Sequence, residues 1–503
     1  MIKYKLNTIL RGRDYTEEFI ESLNDTTLQT SFNFDYLSEG IELLRSHAVK
    51  GSRMAVLYDV DVDGLSAGTI ITNLLTKLAI EPKIYFNSGK IHGLNSTIVE
   101  KAISDKIDLL ICVDSASNDI AFHGELNSNH IDVLVLDHHE IETKVLPTPH
   151  TVIINPKQGT DPVPRDLSGA AVVYYFCNEF AERLNIGRVN KGFEHAAVSL
   201  ITDYCPMDNL HNRNFVRKFL SQGSYMPMYS SFIYQKLTAS TITYSFAPLM
   251  NALIRTGSMN LAVDFYTTTN TSYREKIVAI AKERQKLQKE IINELLKCKI
   301  SGTPKFCICD ISSANISHLI SSDITSNFTG LLASKIKSVS HKPTLVLLKD
   351  SKSTYRGSFR ADGKENYKSI LSASGFVALG HEQACGLYID SKDIKSALIK
   401  LNAFIKPEKD IIYDVVMETS DIRKYYSEID EYAEFNELAG SRLPKIRIKL
   451  DIPKNQVVVN NEGNYYTVTA DGIQIVAFSE PDLDNLVITP SLSGETTKLL
   501  IEG

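Results

Sequence analysis

The sequence predicts an α/β protein whose first part is a doubly wound, mostly parallel sheet. Over the first two hundred residues, short apolar runs alternate with segments of helical periodicity. Parallel strands need such helical crossovers, so the alternation is typical of a parallel sheet with helices on both faces. Acidic residues follow several of the apolar runs, and a long charged segment leads to further strand patterns. These later patterns indicate additional domains.

The predicted strands of this sheet are rich in Val, Ile and Leu, as expected of strands that are buried on both faces. They are MAVLYD (54–59), KIYFN (83–87), IDLLICVD (107–114), IDVLVLD (131–137) and TVIINP (151–156). Between or after them, helical periodicity is found in LSAGTIITNLLTKLA (65–79), NSTIVEKAISDK (95–106) and SGAAVVYYFCNEFAERL (168–184). We expect this first domain to cover residues 1–262.

The rest of the chain divides into three further regions. Residues 263–300 include a charged stretch without Pro or Gly from 272 to 300, which predicts one long connecting helix. Residues 301–408 carry strand and helix patterns of a second, smaller α/β domain. Residues 409–503 show mainly alternating β patterns after a predicted helix near 420–437, and we expect a β-rich C-terminal domain.

Composition restricts the class of protein. The chain has 503 residues, of which 43% are hydrophobic and 23% charged, which is ordinary for a globular protein with several domains. No apolar run reaches the ~20 residues of a membrane span, and the start lacks a signal-peptide core, so we expect a cytoplasmic protein with no membrane partner. Seven cysteines without a CxxC pair argue against a disulfide framework or zinc ribbon.

The net charge of −6 by itself argues against a nucleic-acid partner. This objection is weakened if many of the acidic side chains surround metal ions, because bound cations would neutralise them locally. Separate basic surfaces could then still bind phosphates.

The first acidic motif is LYDVDVDG (57–64), in which Asp59, Asp61 and Asp63 alternate directly after the first apolar run. On an extended backbone these carboxylates would lie on one face within about 7 Å. Two such charges ~4 Å apart repel by roughly 4 kcal/mol near a protein surface, so the motif is either a solvated acidic turn or a cation site. An EF-hand calcium loop is disfavoured, because Ile70 occupies its twelfth position.

Further polar residues follow other predicted elements. Asp114 ends the third strand, Asp137, His138 and His139 end the fourth, and Asp203 follows an apolar helix. Taken singly, each aspartate could cap a helix and the histidines could be ordinary polar surface. Because the carboxyl ends of parallel strands meet at one edge, we expect these side chains to join the first motif in a metal site.

The ordered motifs resemble those of the DHH phosphoesterase superfamily, which is named for the triplet found here at 137–139. Within it, the DxDxDG form resembles the RecJ single-strand exonucleases. Further similar segments are LRGRD (10–14), GKIHGL (89–94), LSGAAVVYYF (167–176), PLMNALIRTGS (248–258), GSFR (357–360) and GHEQACG (380–386). The resemblance implies that the second α/β domain is DHHA1-like and that the C-terminal domain is OB-like.

The resemblance also implies a metal site with distinct roles for its residues. The implied ligands are Asp59, Asp61, Asp63, Asp114, His138 and Asp203. Carboxylates with imidazole suit two divalent cations, Mn²⁺ or Mg²⁺. Asp114 is expected to bridge them and His139 to face the scissile phosphate. Asp137 is expected either to orient a histidine or to cap a turn.

The implied substrate-binding residues lie mostly in the second domain. They are Arg255, Ser358, Arg360, Gly380, His381 and Gly386. Glycines allow close approach of a backbone, and the other side chains can donate to phosphate oxygens. A cleft between two domains would admit a single strand and exclude a duplex.

The function implied is hydrolysis of single-stranded DNA, and possibly RNA, from the 5′ end to mononucleotides, in DNA repair, recombination or replication. Two alternatives stay open. One is a phosphodiesterase for short oligoribonucleotides or cyclic dinucleotides, although such relatives usually have only the two core domains. The other is a non-enzymatic relative that binds strands, for which we would expect lost ligands, whereas every ligand position is filled here.

Overall fold

A computed structural model describes most of the chain. The described residues are 4–87, 89, 91–159, 164–187, 192–222, 224–230, 237–340, 342–349, 353–361, 365–405, 413–439, 443–463, 465–478, 480–483, 486–493 and 496–501. Within this part of the chain, no helix combines the length and apolar character that crossing a membrane requires.

The chain forms two compact units. The N-terminal unit comprises Thr16–Lys282 with Leu438–Pro444, and the C-terminal unit comprises Met1–Tyr15, Glu283–Glu437 and Lys445–Gly503. The predicted division into four domains at residues 262, 300 and 408 stays a prediction.

The first half of the chain contains the elements of the N-terminal unit. Its strands are β1 (Met54–Tyr58), β2 (Lys83–Phe86), β3 (Leu109–Val113), β4 (Asp132–Leu136) and β5 (Thr151–Ile154). Its helices, preceded by α1 (Leu6–Gly12) of the C-terminal unit, are α2 (Glu17–Ser22), α3 (Leu37–Lys50), α4 (Val62–Lys77), α5 (Ser96–Ser104), α6 (Ile120–Ser128), α7 (Gly169–Arg183), α8 (Gly192–Thr202), α9 (Leu210–Leu220), α10 (Pro227–Ser230), α11 (Ala239–Thr241), α12 (Ala247–Arg255) and α13 (Met259–Thr267). A π-helical segment, Ile242–Phe246, joins α11 to α12.

The five strands form one parallel sheet in the order β2-β1-β3-β4-β5. Every residue of β1, β3 and β5 is buried, which explains why these runs are apolar throughout rather than alternating. The predicted α/β class with a doubly wound parallel sheet is confirmed. In this order, β2 lies on one side of β1 and the later strands β3 to β5 lie on the other side, so the winding of the chain reverses between β1 and β3. Sheets of this kind bind ligands at that point.

One local prediction is wrong. The DxDxDG segment was expected to be extended, but α4 begins at Val62, so Asp63 lies in the first helical turn. Asp61 is the N-cap of this helix, and its Oδ1 accepts a hydrogen bond from the Gly64 amide at 2.9 Å. Capping by a short acidic side chain satisfies an otherwise unpaired amide, and this favours the earlier helix start.

The second half of the chain begins with the long helix α14 (Thr271–Leu295), which starts in the N-terminal unit and ends in the C-terminal unit. The remaining elements are β6 (Ile300–Gly302), β7 (Cys307–Asp310), α15 (Thr329–Ser340), β8 (Thr344–Lys349), β9 (Thr354–Arg360), α16 (Tyr367–Ser374), β10 (Val377–His381), β11 (Ala384–Asp390), α17 (Ile394–Phe404), β12 (Val415–Met417), α18 (Thr419–Lys424), α19 (Tyr426–Glu437), β13 (Ile448–Leu450), β14 (Val457–Asn461), β15 (Tyr466–Ala470), β16 (Ile473–Ala477), β17 (Val487–Ser493) and β18 (Thr496–Ile501). The described part of this half also contains two 3₁₀ helices, Ser322–Phe328 and Lys454–Gln456.

The C-terminal unit contains two mixed sheets. The first has the order β10-β11-β9-β8-β7-β6, and the second has the order β12-β13-β17-β18-β16-β15-β14. The predictions of a second, smaller α/β region and a β-rich C-terminal region are confirmed, while the OB-like character of the latter stays a prediction. The LRGRD segment also belongs to this unit, where Arg13 donates to the Asp414 carboxylate at 2.6 Å and to the Lys445 carbonyl.

Candidate metal centre and substrate-binding residues

The acidic residues predicted to meet do lie close together in the N-terminal unit. Their carboxylate and imidazole atoms form three overlapping groups, in each of which the atoms lie within 4.8 Å of one another. The groups are Asp114 with His138 and His139, Asp63 with His138 and Asp203, and Asp59 with Asp61 and Asp114. The structure therefore brings together all six predicted ligands, and their role as ligands stays a prediction.

Asp114 is at the centre of this cluster. It directly follows β3, as Asp59 directly follows the adjacent β1, and its backbone has a φ of 57°, which non-glycine residues rarely adopt. Its carboxylate is buried, and Oδ1 lies 3.1 Å from His138 Nε2 without a well-aligned hydrogen bond. Burial, and then the charges of Asp63 and Asp61, raise the pKa of Asp114 well above its usual range.

Asp63 is held by the start of another helix. Gly169 and Ala170, the first residues of α7, donate their amides to its two oxygens at 2.8 and 2.7 Å, and Ser199 Oγ donates at 2.5 Å. Helix N-termini favour such negative groups. Burial, with the charges of Asp203 and Asp61, nevertheless raises the pKa of Asp63 to about 8.

His138 is prepared to act as a ligand through one nitrogen. Its Nδ1 donates to the Leu167 carbonyl at 2.8 Å, so Nε2 carries the lone pair. Nε2 points to Asp114, and lies 3.7 Å from Asp63 Oδ2 and 3.8 Å from Asp203 Oδ2. Burial lowers the pKa of His138 to about 4, which keeps the ring neutral at pH 7.

His139 is bound by its neighbour Asp137. The buried Asp137 carboxylate accepts the amides of Ser117, His138 and His139, and the Nδ1 of His139 at 2.8 Å. Burial opposes a charge on the imidazole, but the charge of Asp137 and this hydrogen bond raise the pKa of His139 to about 10. His139 is therefore a cation at neutral pH, with 39% of its side chain exposed.

His92 was missed as a site residue by the sequence analysis. Its Nδ1 lies 2.5 Å from Asp59 Oδ2, and the charge of Asp59 raises the pKa of His92. The side chain is 52% exposed. Its segment GKIHGL was singled out by the family resemblance, but nothing in the local sequence indicated that this histidine would reach a carboxylate 33 residues away.

The charges and hydrogen bonds of these carboxylates indicate whether divalent cations fit this site. Raised pKa values at the buried Asp63 and Asp114 and at the partly buried Asp61 mean that these carboxylates resist becoming charged together. A divalent cation would remove this repulsion, and it would satisfy the Asp114 Oδ1 atom, which accepts no hydrogen bond from the described residues. Carboxylate oxygens with one imidazole nitrogen suit Mn²⁺ and Mg²⁺. The residues present therefore fit such ions.

Replacing Ser199 by alanine is expected to weaken Mn²⁺ binding about 10- to 100-fold, because groups that orient a metal ligand typically contribute this much. Ser199 Oγ holds Asp63 and also contacts Ser168 Oγ at 2.5 Å. Calorimetric titration with Mn²⁺ measures the effect without any assay of activity. Ser46→Ala is the control, since Ser46 Oγ donates to the Leu43 carbonyl of its own helix and to no metal-site residue in the described part of the chain. Equal affinity of the two variants would contradict a positioning role for Ser199.

The predicted substrate-binding residues of the C-terminal unit lie on three adjacent strands. Leu379 of β10 pairs with Gly386 of β11, which pairs with Ser358 of β9. Two residues along, His381 pairs with Ala384, which pairs with Arg360. Ser358, Arg360, Gly380, His381 and Gly386 therefore lie at one end of this sheet. The side chain of His381 lies outside the described part of the structure.

Two arginines were predicted to bind phosphate. Arg360 is half-buried and donates to the carbonyls of Phe359 at 2.7 Å and Cys385 at 3.4 Å. Arg255, the last residue of α12, is half-buried in the N-terminal unit. Their roles stay predictions.

Comparison with known proteins identifies relatives of this chain. Residues 53–201 match the model of the DHH family, N-terminal domain, which spans the strands and helices that carry Asp59 to Ser199. The SPbeta prophage-derived protein YorK of Bacillus subtilis is 24% identical over 471 residues, covering 86% of this chain and 80% of YorK. The single-stranded-DNA-specific exonuclease RecJ of Thermus thermophilus is 23% identical over 481 residues, covering 89% of this chain and 66% of RecJ.

Solved structures show the same fold. The crystal structure of RecJ in complex with Mn²⁺ from Thermus thermophilus aligns with a TM-score of 0.73 and 18% identity, over 94% of this chain and 72% of that one. A crystal structure of exonuclease RecJ bound to manganese aligns with a TM-score of 0.59 and 20% identity, over 76% of this chain and 99% of that one.

Proposed function

We propose that this chain, a RecJ-like member of the DHH phosphoesterase superfamily, is a metal-dependent exonuclease that acts on single-stranded DNA from the 5′ end and releases mononucleotides. We expect it to act in the cytoplasm, in DNA repair, recombination or replication. The observation that carries the proposal is a cluster of five carboxylates and His138, which come from four separate segments and lie near the carboxyl ends of β1 and β3 in the parallel sheet.

The ligand set supports metal-assisted phosphodiester hydrolysis. Asp59, Asp61, Asp63, Asp114, His138 and Asp203 would hold two divalent cations, Mn²⁺ or Mg²⁺, with Asp114 shared between them. Bound divalent cations lower the pKa of water to supply a nucleophile at neutral pH, and they neutralise charge on the phosphate. RecJ relatives whose structures were solved with Mn²⁺ or Mg²⁺ have the same fold, which supports this choice of ions.

His139 and Asp137 would act on the scissile phosphate. Because Asp137 binds Nδ1 of His139 and raises its pKa, the ring is cationic and its Nε2 can donate to a phosphate oxygen. That hydrogen bond strengthens as negative charge develops on the phosphate, so it would contribute to catalysis rather than only to binding.

The C-terminal unit would hold the sugar-phosphate backbone of the strand. Ser358 and Arg360 of β9 and His381 of β10 carry donor groups on either side of β11, and Gly386 leaves room for a backbone to approach. Gly380 would belong to the same surface, although a Cβ on it would meet the Ala384 carbonyl oxygen at 2.8 Å. Arg255 would contribute a further phosphate contact. Such donors would contact phosphate oxygens rather than the sugar, so this mode of binding is compatible with RNA as well as DNA.

Replacing Arg360 by alanine is expected to weaken binding of single-stranded DNA similarly for all base sequences, because an arginine that contacts phosphate carries no sequence information. When the logarithm of the association constant for DNA is plotted against the logarithm of the salt concentration, the slope should fall in magnitude by about 1. The loss of affinity should therefore be largest at low salt. Arg45→Ala is the control, because Arg45 pairs with Glu42 on an exposed helix face. An unchanged salt slope in Arg360→Ala would exclude a phosphate contact.

The proposed function is tested with purified protein, Mn²⁺, and a panel of single-stranded DNA, duplex DNA, RNA and cyclic dinucleotide, with products separated by size. We expect 5′-labelled single-stranded DNA to yield labelled mononucleotide from the first time points. A ladder of labelled, shortened strands would mean that the polarity is wrong. Cleavage restricted to cyclic dinucleotides or very short RNA would favour the small-substrate phosphodiesterase instead.

A further inference from the structure

The first sheet of the C-terminal unit has one face that is only partly covered. On its other face, Phe359, Ala378 and Leu387 pack in one core with Leu371 of α16 and Leu401 of α17. On the partly covered face, α15 packs against β7, β8 and β9. The β10–β11 part of this face, at the edge of the sheet, carries exposed side chains.

Three of the exposed side chains of this part are apolar. Val377 and Leu379 of β10 are 50% and 47% exposed, and Tyr388 of β11 is 41% exposed. Val377 pairs directly with Tyr388, and Leu379 is two residues along β10, so all three lie on the same face. We call these three residues the β10–β11 platform. An exposed group of this kind at a sheet edge is typical of an interaction surface.

Gly386 lies beside the platform and has no structural need to be glycine. A Cβ built on it would have the Leu379 carbonyl oxygen as its nearest neighbour, at 3.9 Å, and its φ is not in the left-handed region. By contrast, a Cβ on Gly357 of β9 would collide with the Val346 carbonyl. A glycine within a strand weakens the strand, so open space above Gly386 indicates that something approaches the backbone there.

The same face carries positive charge. Arg356 and Arg360 of β9 lie on it, and Arg356 pairs directly with Tyr388. At the far end of the face, Asp390 has the Lys392 ammonium 3.9 Å away. An apolar surface bordered by arginines is complementary to a single strand of nucleic acid, whose bases are apolar and whose backbone is anionic.

We infer that the β10–β11 platform binds bases of the single-stranded substrate, with Tyr388 stacking on one base while Arg360 and the glycine backbone hold the phosphates. The inference rests on the proposed function and extends it from the backbone to the bases. Stacking on an aromatic ring tolerates every base, so the platform adds affinity for unpaired strands without sequence preference. Duplex DNA would not be bound there, because its bases are already stacked.

The inference is tested by competition in the Mn²⁺-dependent cleavage of a 5′-labelled strand by the full chain. Two unlabelled competitors of equal length and charge are used, an oligothymidylate and one in which abasic sugars replace the nucleosides. The wild-type chain should be inhibited about tenfold more strongly by the oligothymidylate, as one base–aromatic contact predicts. Tyr388→Ala should be inhibited equally by both, and Tyr388→Phe should behave as the wild type.

Tyr426→Ala is the control, because Tyr426 is 51% exposed on α19, a helix that packs against β17 and β18 of the second sheet. If Tyr388→Ala retains the tenfold preference for the oligothymidylate, or loses affinity equally for both competitors, the platform does not bind bases. Loss of self-association in Tyr388→Ala, with unchanged competition, would assign the platform to protein contacts and overturn the inference. A wild-type chain that cleaves no single strand would instead refute the proposed function itself, and this inference with it.

Discussion

Replacing Asp114 by alanine is expected to lower the turnover of single-stranded DNA at least about a thousandfold, because metal ions supply several kcal/mol of transition-state stabilisation. The Asp114 carboxylate belongs to two of the three candidate ligand groups. Its loss would therefore disturb both ion positions.

The matched control for this variant is Asp108→Ala. Asp108 immediately precedes β3, whereas Asp114 follows it, so the two lie at opposite ends of one strand. Asp108 accepts the Arg53 amide at 2.7 Å and is remote from the ligand groups. We expect it to be dispensable for turnover. Full activity in Asp114→Ala would refute the ligand assignment.

Stability provides a second readout that does not depend on substrate. Burial and the neighbouring carboxylates raise the pKa of Asp114 above that of the unfolded chain, so its contribution favours folding at low pH and is lost as pH rises through the folded pKa. At neutral pH the metal-free protein therefore bears a penalty at this position. We expect Asp114→Ala to melt no lower than wild type without metal, and to gain less stability from added Mn²⁺.

Replacing His139 by alanine is expected to lower kcat about 10²- to 10³-fold, the range typical of removing one hydrogen-bond donor to a developing negative charge. The KM for the strand should change little, because the hydrogen bond would matter chiefly when charge develops on the phosphate. Steady-state kinetics on 5′-labelled single-stranded DNA, together with a Mn²⁺ titration, separates this effect from a loss of metal. A large loss of Mn²⁺ affinity with unchanged kcat at saturating metal would make His139 a ligand instead.

His150→Ala is the control for His139. His150 pairs with Asp132 at 2.8 Å, and Asp132 begins β4, whereas Asp137 follows this strand. The aspartate partners of the two histidines thus lie at opposite ends of β4. Only His139 lies at the end that carries the predicted metal ligands. We expect His150→Ala to have wild-type kinetics.

Asp137→Asn should give the catalytic role of His139 a pH signature. Asp137 raises the pKa of His139 to about 10, so in the wild type the imidazole stays cationic through neutral pH. Without this charge, the pKa should fall towards the ordinary value of about 6.5. Activity that depends on cationic His139 should then decline between about pH 6 and 8 in Asp137→Asn but not in the wild type. Parallel pH profiles would contradict the proposed role of the pair.

Much of the fold could be predicted because its signals are local. Strands such as β1 and β3 are buried on both faces, so their sequences are continuous apolar runs. Alternation with helices then predicted a parallel sheet, and a parallel sheet places Asp59, Asp114 and Asp137 at one edge. The start of α4 was less predictable, since the cap formed by Asp61 competes with an extended strand end over only a few residues.

By itself, the sequence determined the α/β class and the position of several carboxylates at the carboxyl ends of the parallel strands, because alternating strand and helix patterns are enough to place strand ends together. The set of six ligands was implied by the family resemblance, and their role as ligands stays a prediction. Only the tertiary structure decided how they are held. Several contacts join residues that are far apart in the chain. They are the hydrogen bonds from Gly169 and Ser199 to Asp63, the contact of His92 with Asp59, and the pairing that places the exposed Tyr388 beside Arg356. Such contacts are set by the packing of whole elements, which no local pattern of residues encodes.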